Sequence, residues 1–248
     1  MDPWKYYDIT HRYHRICNPI SVERLDEVCD LLGLKPRARV LDVACGKAEL
    51  LVRLAERYRV GGVGIDLSPY AIRDARDRAE RRVPGADLEF VGCDGADYDP
   101  GEAGAFDLAM CIGASWIWDG YRGTLLRLAE MTRPGGLILI GETFWTKEPP
   151  REYLEAEGMR RDDFMTHHGN VRAGEDEGLT FLYSAVSSHD DWDRYEGLQW
   201  YAAAEYAREY PDDPDLPALT ERVRRSRDAY LRWGRDCLGW ALYLFRKP

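Results

Sequence analysis

Three short stretches of the chain carry side chains suited to holding a nucleoside. Asp42-Val43-Ala44-Cys45-Gly46-Lys47-Ala48 follows an apolar run and places small residues at 44, 46 and 48, so backbone can approach a ligand closely before a helix begins. Asp66 closes the run Gly62-Val63-Gly64-Ile65-Asp66, and a carboxylate there can accept two hydrogen bonds from a ribose diol. Asp94, followed by Gly95-Ala96, closes a third run. Its oxygen suits the amino group of adenine, with the next backbone N–H donating to a ring nitrogen. Each feature alone is common, since an acid at a strand end is often only a helix cap. In order, after three successive strands, they form a constellation at the edge where open α/β sheets bind ligands.

The elements that position these residues follow from periodicity. Residues 2 to 16 read as a helix dense in Tyr and His. Ser21 caps a second helix, in which Val22, Leu25, Cys29 and Leu32 share a face, and Gly33 ends it. Strands are expected at 39–44, 62–66, 88–93, 106–112 and 137–140, with helical sequence between most of them; Ser68-Pro69 starts one such helix. This alternation implies a parallel sheet covered on both faces. After Trp145 the alternation breaks. A short helix is expected at 149–158, a polar loop at 159–178, a strand-like run at 179–188, and helices near 190–210 and 216–234. A final strand closes the chain at 238–245.

The motif series resembles the class I S-adenosylmethionine (SAM)-dependent methyltransferase family. Val40 to Ala48 resembles its first motif, Val63 to Ser68 its second and Gly92-Cys93-Asp94-Gly95 its third. Phe106 to Cys111 resembles its fourth strand, and Arg133-Pro134-Gly135-Gly136 the turn into its fifth. The resemblance spans about residues 38 to 145 closely and the last strands more loosely. It implies a Rossmann-like three-layer α/β sandwich with a seven-stranded, mostly parallel sheet whose last strand is antiparallel. The chain would form one domain: a helical cap at 1–35, the SAM-binding core at 38–145, an acceptor-side insertion at 146–235 and a final strand at 237–247. By the same resemblance, Asp42, Ala44 and Gly46 surround the methionine moiety. Asp66 and Leu67 hold the ribose and cover the adenine, Asp94 and Gly95 read its edge, and the Cys111 backbone faces the cofactor's amino group. The product would be S-adenosylhomocysteine (SAH). Ala44 and Ala48 stand where the family usually has glycine, which is tolerated if φ is negative there. A dinucleotide dehydrogenase is the structural competitor. Glu49, in the first turn of the helix that would receive a diphosphate, weighs against it.

In such a family the methyl group points out at the ends of strands four and five, under the added segments. Both additions here are aromatic. Trp4, Tyr6, Tyr7, His11, Tyr13 and His14 lie in the first, and Trp145, Tyr153, Phe164, His167 and His168 in the second, with Trp192, Tyr195, Trp200 and Tyr201 on a later helix. Tyr7, Trp116, Trp145, His168 and Trp200 are the expected acceptor contacts. His11 or His14 would serve as general base, because histidine titrates in the useful range, with Glu142 orienting the acceptor or competing as the base. His11-x-x-His14-x-x-Cys17 puts two imidazoles on one helical face, but no second Cys/His pair lies near, and no metal is expected.

Composition bounds the function. The 248 residues are 45% hydrophobic and 31% charged, enough for one domain with a substantial core. A net charge of −10 disfavours phosphate backbones, so no DNA partner is expected. Apolar runs are strand-sized, the first residues lack a basic start ahead of an apolar stretch, and six cysteines form no paired framework. A cytoplasmic protein without membrane association or secretory leader is expected. The expected activity is methyl transfer to N, O, S or C of a small-molecule acceptor. The alternatives are an RNA-modifying methyltransferase and a non-catalytic SAM-binding module.

Overall fold

A computed structural model describes residues 1–248. The elements, in chain order, are α1 (Pro3–Thr10), α2 (Val22–Leu32), β1 (Arg39–Val43), α3 (Glu49–Tyr58), β2 (Gly61–Asp66), α4 (Pro69–Arg82), β3 (Leu88–Gly92), β4 (Phe106–Ile112), α5 (Tyr121–Met131) and β5 (Thr132–Trp145). There follow α6 (Arg151–Glu157), α7 (His167–Asp176), β6 (Thr180–Val186), α8 (His189–Glu209), α9 (Leu216–Ala229) and β7 (Leu238–Arg246). The sheet order is β3-β2-β1-β4-β5-β7-β6. β1 to β5 run parallel, and β7 lies antiparallel between β5 and β6. This is the seven-stranded Rossmann-like arrangement expected, with an antiparallel last strand.

The two faces of the sheet make two cores, as the period of two in a strand requires. Val40, Leu108, Met110, Leu139 and Leu242 pack beneath α2, α3 and α4. Leu41, Val43, Ala109, Ile140 and Tyr243 pack on the opposite face beneath α5. Burying an aliphatic side chain of this kind stabilises the fold by about 1.5–3 kcal/mol relative to leaving it exposed.

Three expectations need correction. The first helix ends at Thr10, and the backbone carrying His11 to Ile20 is irregular. It turns inward because His11 and His14 are buried and hydrogen-bonded across to α8. The supposed polar loop at 159–178 contains α7, capped by Thr166, whose Gly174 closes on the Phe245 ring. Strand five is far longer than 137–140, because its far end continues pairing with β7 as far as Trp145.

The cap is fastened mainly to the C-terminal helices. Tyr6 and Ile9 of α1 bury against Ala203, Leu219 and Val223. The Arg222 guanidinium lies 3.7 Å from the centre of the Tyr6 ring. Lys5 donates to Asp213 and Asp215 at 2.8 and 2.7 Å.

Candidate active site

A cavity of about 540 Å³ opens at the C-terminal ends of β1, β2 and β4. Its floor is Asp42, Ala44, Gly46, Asp66 and Ile112; its roof is Trp4, Tyr7 and His11 from the cap and Tyr195 from α8. Thus the glycine-turn residues and the aromatic cap, remote in sequence, form one enclosure. Trp116, 74% exposed, stands at its wall.

The turn after β1 is held from below. Asp66 accepts from the Gly46 N–H and the Ser68 N–H, both at 2.8 Å, one on each carboxylate oxygen. Lone pairs remain on both oxygens, so the carboxylate can still receive a diol. Burial raises its pKa, while the two N–H groups oppose that rise. Asp42 is buried at the end of β1, and desolvation pushes its pKa well up, aided by the charge on Asp66. A Cβ added at Gly46 would meet nothing within 4 Å, so ligand atoms have room against that backbone. These groups fit a SAM molecule.

The two alanines in this turn are not in the negative-φ conformation expected of them. Ala44 has φ +56° and Ala48 φ +53°, flanking Gly46 at +53°. The alternating left-handed residues curl the chain tightly at the cavity floor. The strain at each alanine, about 1–2 kcal/mol, is borne by the surrounding core.

Glu49 follows directly, and its carboxylate is surrounded by Arg15, Arg53, Arg78 and Arg82 at 2.6–3.1 Å. Its charge is therefore not free to repel a diphosphate, contrary to the sequence expectation. Instead it ties the irregular segment after α1 to α3 and α4.

The roof is a network of neutral groups. The Tyr7 carbonyl can only accept, so His11 Nδ1 (3.2 Å away) carries the proton. His11 Nε2 then accepts from the Tyr195 hydroxyl at 3.0 Å. His14 Nε2 donates to the Tyr195 carbonyl at 2.9 Å, leaving Nδ1 buried and unpartnered. Burial lowers His11 to about 3 and His14 to about 4, so both imidazoles are neutral at pH 7. With His11 and His14 so engaged, no cluster of His, Cys, Asp or Glu is arranged to hold a metal ion.

Of the other expected residues, His14 is behind the roof rather than in the cavity wall. Leu67, Asp94 and Gly95 lie at the same edge of the sheet but outside the wall; Asp94 caps a short turn through the Ala96 N–H at 2.9 Å. Cys111 stays in the ladder between Val43 and Ile140, and its successors Ile112, Gly113 and Ala114 face the cavity instead. Glu142 pairs with Ala241 and points to the opposite face of the sheet, because strand alternation gives the cavity side to Gly141. Trp145 is buried against Tyr153 and Phe164, with Nε1 donating to the Arg161 carbonyl. His168 is exposed on α7, and Trp200 packs on Tyr230. None of these four lines the cavity. The wall includes Cys17, Asn18, Lys47, Tyr195 and Trp240, which the motifs did not single out as site residues. Only the aromatic density of 192–201 hinted at Tyr195.

Residues 40–136 match a methyltransferase domain, Methyltransf_25. The chain is 32% identical over 245 residues to the uncharacterized protein YjhP of Escherichia coli (strain K12), covering 98% of both chains. It superposes on a SAM-dependent methyltransferase from Geobacter sulfurreducens, solved in complex with SAH, with a TM-score of 0.91, 30% identity and 98% of each chain covered. A SAM-dependent methyltransferase from Thiobacillus denitrificans, also in complex with SAH, gives 0.90 and 32% identity with both chains covered fully.

Proposed function

Since this chain belongs to the class I SAM-dependent methyltransferases, we propose that it methylates a small, uncharged acceptor with a largely apolar body, held beneath α1 and α8. The observation that carries this reading is the single cavity joining Asp42, Gly46 and Asp66 to Tyr7, His11 and Tyr195. About 540 Å³ must hold both cofactor and acceptor, which suits a small molecule and not a polymer. The two cationic side chains in the wall are already engaged, Arg15 by Glu49 and Lys47 by the His11 carbonyl and Asp74. An anionic acceptor would find no free partner there. No helix is long and apolar enough to cross a membrane.

SAM supplies an activated, electrophilic methyl group. Asp66 and the 44–48 turn hold the nucleoside end, and the aromatic roof excludes water and favours a cationic sulfonium. Alignment supplies most of the acceleration. The acceptor's lone pair forms the new bond to the methyl carbon, and the C–S pair returns to sulfur. The Tyr195 hydroxyl spends its proton on His11, so its oxygen faces the acceptor as a hydrogen-bond acceptor for an O–H or N–H. When the acceptor is an O–H, methylation leaves a strongly acidic oxonium. Its proton passes to Tyr195 while the phenolic proton moves to His11 Nε2, basic enough for this even with its pKa lowered to about 3. A methylated amine keeps its proton as an ammonium. His11, neutral at rest, serves as the terminal proton acceptor and not as a preformed base. SAH release measured against neutral phenols, amines and thiols, carboxylate analogues and bulk RNA tests the reading. Turnover confined to RNA or to anionic acceptors would overturn it, and SAH binding without any turnover would favour a binding module.

A further inference from the structure

Glu142 sits on the far face of the sheet from the cavity, 6% exposed and without a cationic partner. Its carboxylate accepts from the Ser115 hydroxyl through Oε2 and from the Thr143 N–H at 2.8 Å through Oε1. Ser115 begins the one-turn 3₁₀ segment Ser115–Trp118 that follows β4. The backbone there is directed in several ways at once. Gly113, at φ +77°, donates its N–H to the Gly141 carbonyl beside Glu142. The Ser115 carbonyl accepts from Thr124 Oγ1 at 3.0 Å. Gly113, Ala114 and Trp116 are cavity wall, while Ile117 packs against Gly95 at the end of β3. This one segment therefore touches the cavity on one side of the sheet and answers to a buried carboxyl on the other.

We propose that Glu142 is a positioning residue for cofactor binding, clamping Ser115 and so setting the Gly113–Trp118 segment against the cavity. The inference concerns the cofactor side and does not depend on which acceptor is used. A charge-assisted hydrogen bond holds the segment more firmly than a neutral one. Burial pushes the Glu142 carboxyl up to about 7, so the clamp tightens as pH rises through neutrality. The groups facing it are Cys111 from β4, Tyr121 from α5 and Tyr243 from β7. Burial raises the pKa of all three, keeping them protonated at neutral pH. His167 of α7 stands one step further, on the Tyr243 hydroxyl at 2.9 Å, and burial lowers its pKa.

The test is calorimetric titration of SAH into the full chain at pH 6, 7 and 8, for wild type, Glu142→Gln and Ser115→Ala. Wild-type affinity should rise about fivefold from pH 6 to pH 8, the scale set by charge-assisted against neutral bonding. Both variants should lose that rise. Ser115→Ala retains a titrating carboxyl, so its flat profile would show that the effect runs through the clamp. A Ser115→Ala profile as steep as wild type would mean the charge acts through space, and the clamp would be wrong. A flat wild type, or a dependence surviving in Glu142→Gln, would equally overturn it.

Discussion

The Tyr195 hydroxyl donates to His11 Nε2 across 3.0 Å, linking α8 to the end of α1 at the roof of the cavity. The contact joins positions 184 residues apart. It makes a neutral imidazole the partner of a phenol in the cavity wall. Replacing Tyr195 with Phe, or His11 with Asn, should lower turnover by about 10²-fold when the acceptor is an O–H. SAH affinity should hold within a few-fold. Single-turnover assays paired with calorimetry check this. Unchanged turnover in both variants would mean that alignment alone suffices.

Asp66 holds the 44–48 turn through Gly46 and the start of α4 through Ser68. Its loss removes both of these ties and, on the proposed reading, the ribose partner. Asp66→Ala should weaken SAH binding by about 10–100-fold, in keeping with loss of charge-assisted bonds. Asp97→Ala, outside the cavity wall, should bind as wild type does. Equal affinities for the two variants, by calorimetry, would refute the placement of the ribose.

Ala44 stands at φ +56° without being fully buried. Glycine adopts that conformation freely, so Ala44→Gly should stabilise the fold by about 1 kcal/mol after the entropy it adds to the unfolded chain. For a chain of this size that is a melting point higher by about 2–4 °C. Ala44→Val should lower it. A lower melting point for the glycine variant would contradict the strained turn.

The carboxyl of Glu142 is raised from 4.5 in the open chain to about 7 in the fold. The folded state therefore holds its proton longer, and the stability this contributes below pH 4.5 is lost as pH rises to about 7. Glu142→Gln does not titrate. Its stability relative to wild type should climb across that window by something on the order of 3 kcal/mol and then level off. Urea denaturation at pH 5, 6, 7 and 8 measures it; a constant difference would show that the carboxyl is not perturbed.

His11 and His14 act with the opposite sign. Their folded values, about 3 and about 4, lie below the unfolded 6.5, so the stability they carry is present above pH 6.5 and lost as pH falls toward 4. In His11→Gln/His14→Gln the decline of stability between pH 6.5 and 4 should be shallower than in wild type, whatever the change at pH 7. An equally steep decline would place the acid sensitivity elsewhere.

The sheet and the edge at which its cavity opens were legible in the sequence because their causes are local. Apolar runs of strand length, the caps Ser21 and Ser68, and acids at strand ends each act within a few residues, and together they determine the alternation from Arg39 to Ile112. Even the antiparallel last strand came with the resemblance. What local pattern could not decide was the side to which each residue turned and what it met there. Ala44 and Ala48 take positive φ because the turn closes on Asp66 and the helix behind it, not because alanine prefers it. Glu142 follows an expected strand, but the one-residue register that gives Gly141 to the cavity sends its carboxyl to Ser115. His11 stands in a stretch that reads as helix. Tertiary contact with Tyr195 draws it in as a neutral imidazole, since a buried charge there would have no partner. Sequence determined which groups were available; long-range packing alone decided which of them share one cavity.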